Sequence, residues 1–371
     1  MIRASKPLLR LLIPGQYSPF RRLHAGSRRR RYSKNDNDDD DKNDKGTHLH
    51  LYKSKGQHLL TNQRILDTIV RKSAIEPTDT VLEIGPGTGN LTVKLLEAAS
   101  KVFAIEIDSR MVEILDKRAL ESGLQDRLTV IRKDALKAEF PLFDLVVANI
   151  PYNISSPLVA KLVFGPIQFR SATLLLQKEF ARRLLAKPGD SEFNRLAVNV
   201  TLVADVEHVM DVSKREFVPC PKVDSSVVII RPKAQVPDVN MEEWLAFTRT
   251  CFGKKNKTLG ATFKQKKKVA ELLNFSDMAA SNAEYNDGGD DDESADSDGE
   301  EDCSSSSGSS EMGVSPFKEK IMKVLKSGCF DGKRPSKMSN EELLRLLAMF
   351  NDAGVYFHDK SNTKCEDINC E

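Results

Sequence analysis

Four consecutive residues, Asn149-Ile150-Pro151-Tyr152, have the chemistry needed to hold the exocyclic amine of a nucleic-acid base. The amide oxygen of Asn149 and a neighbouring backbone carbonyl can both accept hydrogen bonds from an NH2 group. Pro151 stiffens the backbone, and Tyr152 offers a flat face on which a base taken out of its strand can stack. Alignment of the amine with a methyl donor would then need no strong base. Taken alone, the motif could also be a simple proline-containing loop.

Three glycines, Gly85, Gly87 and Gly89, follow an apolar run and precede a helical pattern. Glycines at such a turn let the backbone bend tightly and approach a ligand closely. The spacing Gly-x-Gly-x-Gly is not the Gly-x-Gly-x-x-Gly of dinucleotide-binding folds, and the segment lacks the Lys-Ser/Thr pair of a P-loop. A pyrophosphate is therefore not the expected ligand, although a glycine run by itself could be only a turn.

Two acidic residues follow the next two apolar runs along the chain. Glu106 ends the run that begins at Val102, and Asp134 follows the run that begins at Leu128. A carboxylate in the first place can accept from both ribose hydroxyls, and one in the second can accept from an adenine amino group. Each alone could be a solvated charge at a strand end. Together with the glycines they predict a nucleoside site without phosphate, which S-adenosylmethionine fits.

The elements that must position these residues alternate between short apolar runs and helical periodicity. Such alternation predicts a parallel sheet with helices on both faces, and ligands bind at the carboxyl edge of such sheets. The predicted strands are Thr80–Ile84, Val102–Ile107, Leu128–Arg132, Leu145–Ala148, Ala172–Leu176, Val198–Val203 and Ser226–Ile230. The predicted helical stretches are Leu91–Ala99, Arg110–Ser122, Met241–Cys251, Lys254–Lys268, Pro316–Leu325 and Asn340–Phe350.

The formal net charge of +2 over 371 residues conceals three electrostatically different pieces. Residues 1–34 hold ten basic residues and no acid, whereas residues 277–311 hold thirteen acids and no Lys or Arg, which leaves +5 (2 − 10 + 13) for the remainder. An acid-free, Arg-rich leader with hydroxyl residues is typical of an organelle transit peptide, so we expect a mitochondrial protein. The alternative is a basic nuclear-import or nucleic-acid-binding tail centred on Arg28–Arg31, which would favour the nucleus or nucleolus.

Composition and pattern shifts divide the chain into five parts. The apolar runs are far shorter than the roughly 20 residues of a membrane span, and no cysteine pair has CxxC spacing. We therefore expect a reducing compartment, no membrane partner and no metal site; we also expect a monomer. The predicted parts are a transit peptide with an acidic spacer (1–45), a catalytic domain (46–232), the first part of a helical RNA-binding domain (233–276), an acidic disordered insert (277–311) and the second part of the helical domain (312–371).

Read together, these motifs resemble the KsgA-type adenine-N6 dimethyltransferase family that acts on small-subunit ribosomal RNA, in its eukaryotic and mitochondrial branch. The resemblance runs from about Lys53 to Phe275 and resumes weakly from Phe317 to Phe357. The matching segments are Lys55–Leu60, Leu82–Leu91, Asn149–Pro157, Gln177–Ala181, Lys187–Gly189, Pro221–Ser225 and Lys255–Leu259. The resemblance implies an α/β fold: a Rossmann-like class I S-adenosylmethionine-dependent methyltransferase sheet with a smaller C-terminal helical domain.

The resemblance also implies roles for individual residues. Those expected to bind S-adenosylmethionine are Gln57, His58, Leu60, Gly85, Gly87, Gly89, Glu106, Asp134, Ala135 and Asn149. Asn149, Ile150, Pro151 and Tyr152 would hold the target adenine, and Phe217 would be a second aromatic wall for it. Cys220 stands where the family usually has a proline. The implied reaction adds two methyl groups to each of two adjacent adenosines in a hairpin near the 3′ end of the RNA, during ribosome biogenesis.

Seven lysines among fifteen residues from Lys254 to Lys268, interleaved with Phe252 and Phe263, favour contact with RNA phosphates over an ordinary solvated face. The expected RNA-binding residues are Lys254, Lys255, Lys257 and Lys264, and the expected partners are small-subunit rRNA and the pre-ribosomal small subunit. A rival interpretation is a non-catalytic RNA- or DNA-binding factor for ribosome assembly or mitochondrial transcription. A DNA adenine methyltransferase is a second rival, although its motif usually starts with an acid rather than Asn149.

Overall fold

The computed structural model describes residues 57–254, 256–284 and 310–358. The predicted leader and spacer, Lys255, and residues 285–309 of the acidic insert lie outside the described residues. The strands are β1 Leu59–Leu60, β2 Thr80–Ile84, β3 Lys101–Glu106, β4 Leu128–Arg132, β5 Leu145–Asn149, β6 Ser171–Gln177, β7 Ala204–Val212, β8 Phe217–Val218 and β9 Ser225–Pro232.

The helices of the described residues divide between the sheet and a C-terminal bundle. Those that accompany the sheet are α1 Gln63–Lys72, α2 Thr92–Ala98, α3 Ser109–Glu121, α4 Ser155–Phe164, α5 Lys178–Leu185 and α6 Arg195–Val203. The bundle comprises α7 Met241–Cys251, α8 Leu259–Phe263, α9 Lys266–Glu284, α10 Ser310–Ser327 and α11 Asn340–Asp352.

Seven strands form one sheet in the order β4-β3-β2-β5-β6-β9-β7. The first five are mutually parallel, while β9 is antiparallel to both β6 and β7. The prediction of a parallel sheet is therefore correct for five strands and incomplete for the last two. Strand order reverses between β2 and β5, and the carboxyl ends at such a switch point are where open α/β sheets bind ligands.

The predicted strand Val198–Val203 is wrong, because these residues belong to α6. Asn194 caps this helix by accepting hydrogen bonds from the backbone of Leu196 and Ala197. Val198 is buried against the C-terminal helices, and Val200 is buried against the sheet. A helix buried on two sides loses the polar face that identifies helices by pattern, so its apolar run resembles a strand. The true strand, β7, begins at the next residue.

Apolar side chains alternate along the central strands and fill a core on each face of the sheet. Val81 packs in the core that includes residues of α1 and α2, whereas its neighbour Leu82 packs with α4 and α5 on the other face. This alternation follows from the two-residue period of a strand. Burial on both faces fixes the register, and with it the level at which each strand ends.

The C-terminal helices share a third core with α6. Trp244, Phe247 and Phe263 are fully buried there together with Phe350. Ser339 starts α11 with a capping box, one residue before the first residue of the predicted helical stretch. The predicted insert boundary at residue 277 is wrong, since α9 continues to Glu284, and α10 begins at Ser310 rather than at the predicted Pro316.

Two short strands form a separate pair that lies against the switch point. β1 pairs antiparallel with β8, with Leu59 opposite Val218 and Leu60 opposite Phe217. Asn62, the N-cap of α1, donates from Nδ2 to Glu216 Oε2 across 2.7 Å just beyond the pair. The first described segment of the chain is thereby fixed over the carboxyl edge of the sheet. Across the residues described, no helix is both long and apolar enough to cross a bilayer.

Candidate active site

A cavity of about 370 Å³ opens at the carboxyl edge of the sheet, at the switch point between β2 and β5. Its walls come from the loops after β2, β3, β4 and β5 and from the segment around β1. Of the residues predicted to bind the cofactor or the base, those that line it are Gln57, His58, Leu60, Gly85, Gly87, Glu106, Asp134, Ala135, Asn149, Ile150, Pro151 and Tyr152. The structure thus brings together residues that are up to 95 positions apart.

The glycine loop after β2 is shaped by left-handed backbone conformations. Gly85 has φ +69°, and a Cβ there would lie 3.2 Å from Pro151 Cδ, so glycine lets the loops after β2 and β5 touch. Gly89 has φ +85°, but it does not line the cavity. A Cβ at Gly89 would lie 2.6 Å from Leu115 Cδ1, so this glycine seats the loop against α3. Its predicted place among the cofactor ligands is corrected accordingly.

Glu106 is held rigidly at the end of β3. One carboxylate oxygen accepts from the backbone N–H groups of Ile107 and Asp108, each at 2.9 Å, and the other accepts from Gly87 N at 3.3 Å. Its side chain is 8% exposed, and this burial raises the pKa of Glu106 despite the three donors. Because the backbone fixes both oxygens, their remaining lone pairs face the cavity in a fixed direction.

Asp134 and Ala135 form the wall that follows β4. Asp134 Oδ1 accepts from Leu136 N at 2.9 Å, which turns the loop. Lys161, on α4, donates from its ammonium group to the carbonyl oxygens of Ala135 at 2.9 Å and Leu136 at 3.2 Å. Partial burial lowers the pKa of Lys161, and the charge of Asp134 acts in the opposite direction. Lys161 therefore holds this wall of the cavity in place. The role could not be predicted from the sequence, because Lys161 is 26 positions from Ala135.

Glu83 lies at the floor of the cavity, on β2, and is 1% exposed. Its Oε2 makes no hydrogen bond within the described part of the chain. Burial raises the pKa of Glu83 to about 8; the hydroxyl of Thr92 offsets part of that effect, and the charge of Glu106 adds to it. A buried carboxyl oxygen without a partner is costly, which is a reason to expect a ligand group at this place.

Asn149 closes β5 with its side-chain amide in a fixed orientation. Its Nδ2 donates to the carbonyl oxygen of His58 across 3.1 Å. The amide oxygen is therefore the atom left to accept a hydrogen bond from a ligand. No pattern in the sequence could supply this orientation, because the acceptor is a backbone atom 91 positions away.

Tyr152 and His58 form the rim of the cavity beside Asn149. Their rings lie 5.9 Å apart between centroids at an interplanar angle of 24°. The Tyr152 hydroxyl is hydrogen-bonded to Ser225 Oγ at 2.7 Å, and burial raises the pKa of Tyr152. His58 Nδ1 lies 2.7 Å from the carbonyl oxygen of Pro219, which can only accept, so Nδ1 carries the hydrogen. The β8–β9 loop therefore holds the His58 ring, and the first residue of β9 holds the Tyr152 ring.

Phe217 is not where the expected second aromatic wall would be. Its side chain is 2% exposed, packs in the core with Leu60 and Leu66, and does not line the cavity. The reason is the β1–β8 pairing, which turns Phe217 inward opposite Leu60. The aromatic ring nearest Tyr152 in the described structure is instead that of His58.

The predicted RNA-binding lysines lie away from the cavity lining. Lys254 and Lys257 are exposed between α7 and α8, and Lys264 is exposed at the end of α8. Residues that sequence reasoning missed include Ile107, which lines the cavity with a side chain that is 60% exposed, and Asn90, which donates from Nδ2 to Leu60 O across 2.9 Å. An exposed apolar residue directly after the strand-end acid is the signal that could have identified Ile107.

The fold and the cavity together define a class I methyltransferase, a class whose nucleoside-binding site lies at the switch point of such a sheet. The family model for ribosomal RNA adenine dimethylase matches residues 49–288. The chain belongs to the ribosomal RNA adenine dimethylase family. S-adenosylmethionine is accordingly its cofactor.

Similar proteins agree with this assignment. The chain is 64% identical over 335 residues to a mitochondrial ribosomal RNA small subunit methyltransferase of Arabidopsis thaliana, covering 90% of this chain and 87% of that one. A crystal structure of a dimethyladenosine transferase from Plasmodium falciparum superposes with a TM-score of 0.69 at 40% identity, covering 81% of this chain and all of that one. The 23S rRNA methyltransferase ErmE shares the fold, with a TM-score of 0.53 at 24% identity over 79% of this chain and 99% of that one.

The cavity residues fit S-adenosylmethionine. Glu106 and Asp134 supply carboxylate acceptors for a nucleoside's hydroxyl and amino groups. The unpartnered oxygen of Glu83 matches the cofactor's ammonium group, the one cationic donor of its amino-acid part. None of these groups would attract a phosphate, and the cofactor has none.

Proposed function

We propose that this protein transfers methyl groups from S-adenosylmethionine to N6 of adenosine in small-subunit ribosomal RNA and forms dimethyladenosine. The observation that carries the proposal is the fixed amide of Asn149, whose oxygen is left to accept while its nitrogen is bonded to His58. An acceptor beside an aromatic rim is suited to an adenine amine. The family assignment and the Arabidopsis relative's name support the same reaction.

On the cofactor side, different residues of the cavity would contact different parts of S-adenosylmethionine. Glu106 would accept from the ribose hydroxyls, and Asp134 with the backbone at Ala135 would hold the adenine end. Gln57, His58 and Leu60 would cover the ligand from the β1 segment, while Gly85 and Gly87 allow its close approach. When bound, the cofactor supplies an activated methyl group. Gly89 supports this site through the loop rather than by contact.

On the substrate side, the chain's own groups orient the amine. The target adenine would stack on Tyr152, and Asn149 Oδ1 would accept one N6 hydrogen, which directs the nitrogen lone pair towards the methyl group. Pro151 packs against Gly85, and Ile150 anchors the loop in the core of the sheet. The displaced proton passes to solvent after each transfer, so no side chain needs to act as a base. After the first transfer N6 retains one hydrogen, which Asn149 can still accept before the second.

The finer features of the substrate come from the resemblance. The target would be two adjacent adenosines in the 3′-terminal hairpin, modified within the pre-ribosomal small subunit by a monomeric enzyme. Lys254, Lys255, Lys257 and Lys264 would bind RNA phosphates, with residues 233–276 and 312–371 forming the RNA-binding helical domain beside the catalytic domain.

Residues 1–45 would direct the protein to mitochondria. The arginine-rich, acid-free leader supports this, as does the mitochondrial name of the 64% identical Arabidopsis relative. A fusion of residues 1–45 to a fluorescent protein should accumulate in mitochondria. Nucleolar fluorescence would overturn the proposed location.

Transfer of labelled methyl groups tests the reaction itself. Purified protein should methylate adenosine N6 in small-subunit rRNA, and the products should include dimethyladenosine. Asn149→Ala should reduce transfer at least a hundredfold while S-adenosylmethionine binding, followed by calorimetry, stays within about threefold. Cofactor binding without RNA methylation in the wild type would favour the non-catalytic rival, and transfer to protein instead of RNA would refute the proposal.

A further inference from the structure

The β1 segment, residues 57–60, forms one wall of the cofactor cavity. All four of its residues line that cavity. A Cβ at Gly87 would lie 2.8 Å from Leu59 Cδ2, so the segment lies directly against the glycine loop. Any side chain that fixes the position of the β1 segment therefore also fixes the shape of the cofactor site.

Two side chains in series hold the last residue of the β1 segment, and we call this pair the relay. Asn90, which precedes α2, donates from Nδ2 to the carbonyl oxygen of Leu60 across 2.9 Å. Arg118, on α3, donates from Nη1 to Asn90 Oδ1 at 2.8 Å and to the carbonyl oxygen of Thr88 at 2.7 Å. Because Arg118 bonds to the amide oxygen of Asn90, the amide nitrogen is directed towards Leu60.

Asn90 also lines the cavity, but its amide is hydrogen-bonded within the protein at both ends. This distinguishes it from Asn149, whose amide oxygen is left to accept from a ligand. Arg118 does not line the cavity, so any effect that it has on a ligand passes through Asn90 or the glycine loop. Hydrogen bonds from a guanidinium group are charge-assisted and stronger than those between neutral groups, so they resist displacement of the β1 segment.

We propose that Arg118 and Asn90 are positioning residues that hold Leu60 against S-adenosylmethionine and thereby set the affinity for this cofactor. Leu60 is buried with Leu66 in the core on one face of the sheet, so a displacement of its backbone would disturb the packing beside the cofactor. This inference rests on the proposed function, which places Leu60 among the residues that cover the cofactor.

The other end of the β1 segment is held separately. Gln57 Nε2 donates to Asp108 Oδ2 at 2.9 Å. His58 bonds through its ring to the carbonyl oxygen of Pro219 and through its own carbonyl to Asn149. Loss of the relay should therefore leave the Asn149 amide, which we propose holds the RNA base, in its orientation. The expected effect is weaker cofactor binding with an almost unchanged maximal rate.

Calorimetry of the full-length chain with S-adenosylmethionine alone tests the relay in the absence of RNA. Asn90→Ala should weaken binding roughly tenfold, and Arg118→Met should weaken it roughly three- to tenfold, the scale of a lost hydrogen bond. The double variant should bind little worse than Asn90→Ala, because Arg118 acts through Asn90. Wild-type affinity in either single variant would overturn the proposal, as would additive losses in the double variant.

Arg127→Met is the matched control. Arg127 also donates to a backbone carbonyl, that of Leu96 at 3.4 Å, and it does not line the cavity. The control should bind S-adenosylmethionine as tightly as the wild type does. An equal loss of affinity in the control and in Arg118→Met would show that the effect is not specific to the relay, and it would reject the assignment.

Hydrogen exchange separates a local effect from a general loss of stability. The amide of Thr61, which directly follows the β1 segment, donates to the carbonyl oxygen of Glu216 at 3.0 Å. The amide of Gly85 donates to the carbonyl oxygen of Ile105 at 2.9 Å. In Asn90→Ala, exchange at Thr61 should accelerate roughly tenfold, whereas exchange at Gly85 should not change. Equal acceleration at both amides would mean that Asn90 has a merely structural role and would contradict the proposal.

Methyl transfer to small-subunit rRNA distinguishes failure of this inference from failure of the proposed function. In Asn90→Ala the KM for S-adenosylmethionine should rise roughly tenfold while kcat stays within about threefold. A lower kcat with an unchanged KM would overturn the inference. A wild type that binds the cofactor more tightly than the variants but does not methylate RNA would refute the proposed function alone. RNA methylation with equal cofactor affinity in all variants would refute this inference alone.

Discussion

A side-chain amide can face its substrate in two ways, and in this protein a backbone atom selects one of them. Asn149 donates to the carbonyl of His58, which belongs to the first described segment of the chain. The sequence predicts that Asn149 is the amine acceptor because of its motif, but not why its oxygen is the free end. The orientation depends on a contact across 91 positions, which only the folded chain creates.

The Glu83 carboxyl oxygen that lacks a hydrogen-bond partner among the described residues affects the stability of the folded protein. The pKa of Glu83 is raised to about 8 in the folded chain by burial and by the neighbouring charge of Glu106. The folded state therefore binds a proton more tightly than the unfolded state. Stability from this residue is fully present below the ordinary carboxyl pKa and is lost as pH rises through 8.

We predict that Glu83→Gln removes this dependence. At pH 5 or below the variant and the wild type should have similar free energies of unfolding. At pH 8 the variant should be more stable by about 2 kcal/mol or more, because glutamine need not ionise in either state. Urea denaturation at several pH values measures the difference. Calorimetry should show weaker S-adenosylmethionine binding by the variant; parallel pH curves for the two proteins would contradict the prediction.

Strands with short apolar runs were predictable, whereas a helix buried on two sides was not. β2 and β4 have the predicted bounds, because their apolar runs are short and interrupted by turn residues. The helix α6 was predicted as a strand because Val198 and Val200 face two different cores. The resemblance places Phe217 at the base site, whereas the two-residue strand β8, too short to predict, turns its side chain inward.

The contact between the glycine loop after β2 and helix α3 leads to a prediction about stability. Gly89→Ala should destabilise the protein by about 2 kcal/mol, since it combines an unfavourable φ with a methyl group 2.6 Å from Leu115. Gly123→Ala is the matched control. Gly123 has φ +66° and open space around its Cβ position, so only the backbone strain of about 1 kcal/mol should appear. Equal losses in thermal or urea denaturation would show that the contact with α3 is unimportant.

The hydrogen bonds of Lys161 to the loop after β4 lead to a prediction about cofactor affinity. Lys161→Met should keep most of the aliphatic contact of the side chain but remove its hydrogen bonds to the carbonyl groups of Ala135, Leu136 and Ala138. We expect a roughly three- to tenfold weaker affinity for S-adenosylmethionine, because the wall that we propose holds the adenine loses its support. The maximal rate of methyl transfer should change less. A loss of rate with unchanged cofactor affinity, measured by calorimetry, would contradict this role.

At the scale of the whole molecule, charge is separated along the chain rather than balanced locally. The leader and the acidic segment nearly cancel, so the net charge of +2 hides a working region at +5. Residues 285–309 contain ten acids and join α9 to α10. In sequence they follow the lysine-rich stretch from Lys254 to Lys268 that is expected to contact RNA, so we expect their charge to affect RNA affinity measurably.

We predict that replacing residues 285–309 by a Gly/Ser linker of equal length leaves the melting temperature within about 3 °C and methyl transfer intact. Affinity for non-target RNA should increase a few fold at low salt, because ten negative charges have been removed. A scrambled segment of the same composition is the control and should behave as the wild type. A lower melting temperature with the Gly/Ser linker or with the scrambled segment would show that residues 285–309 have a structural role.

The pairing of β1 with β8 also sets the order in which the site can come into existence. Residues 57–60 leave the ribosome early, yet their partners at 217–219 are synthesised about 160 positions later. Until then neither the hydrogen-bonded His58 nor the strand pair over the cavity exists. A chain synthesised only as far as β7 would therefore be unable to close over its cofactor. Cofactor retention would mark the chains that have been extended past residue 219.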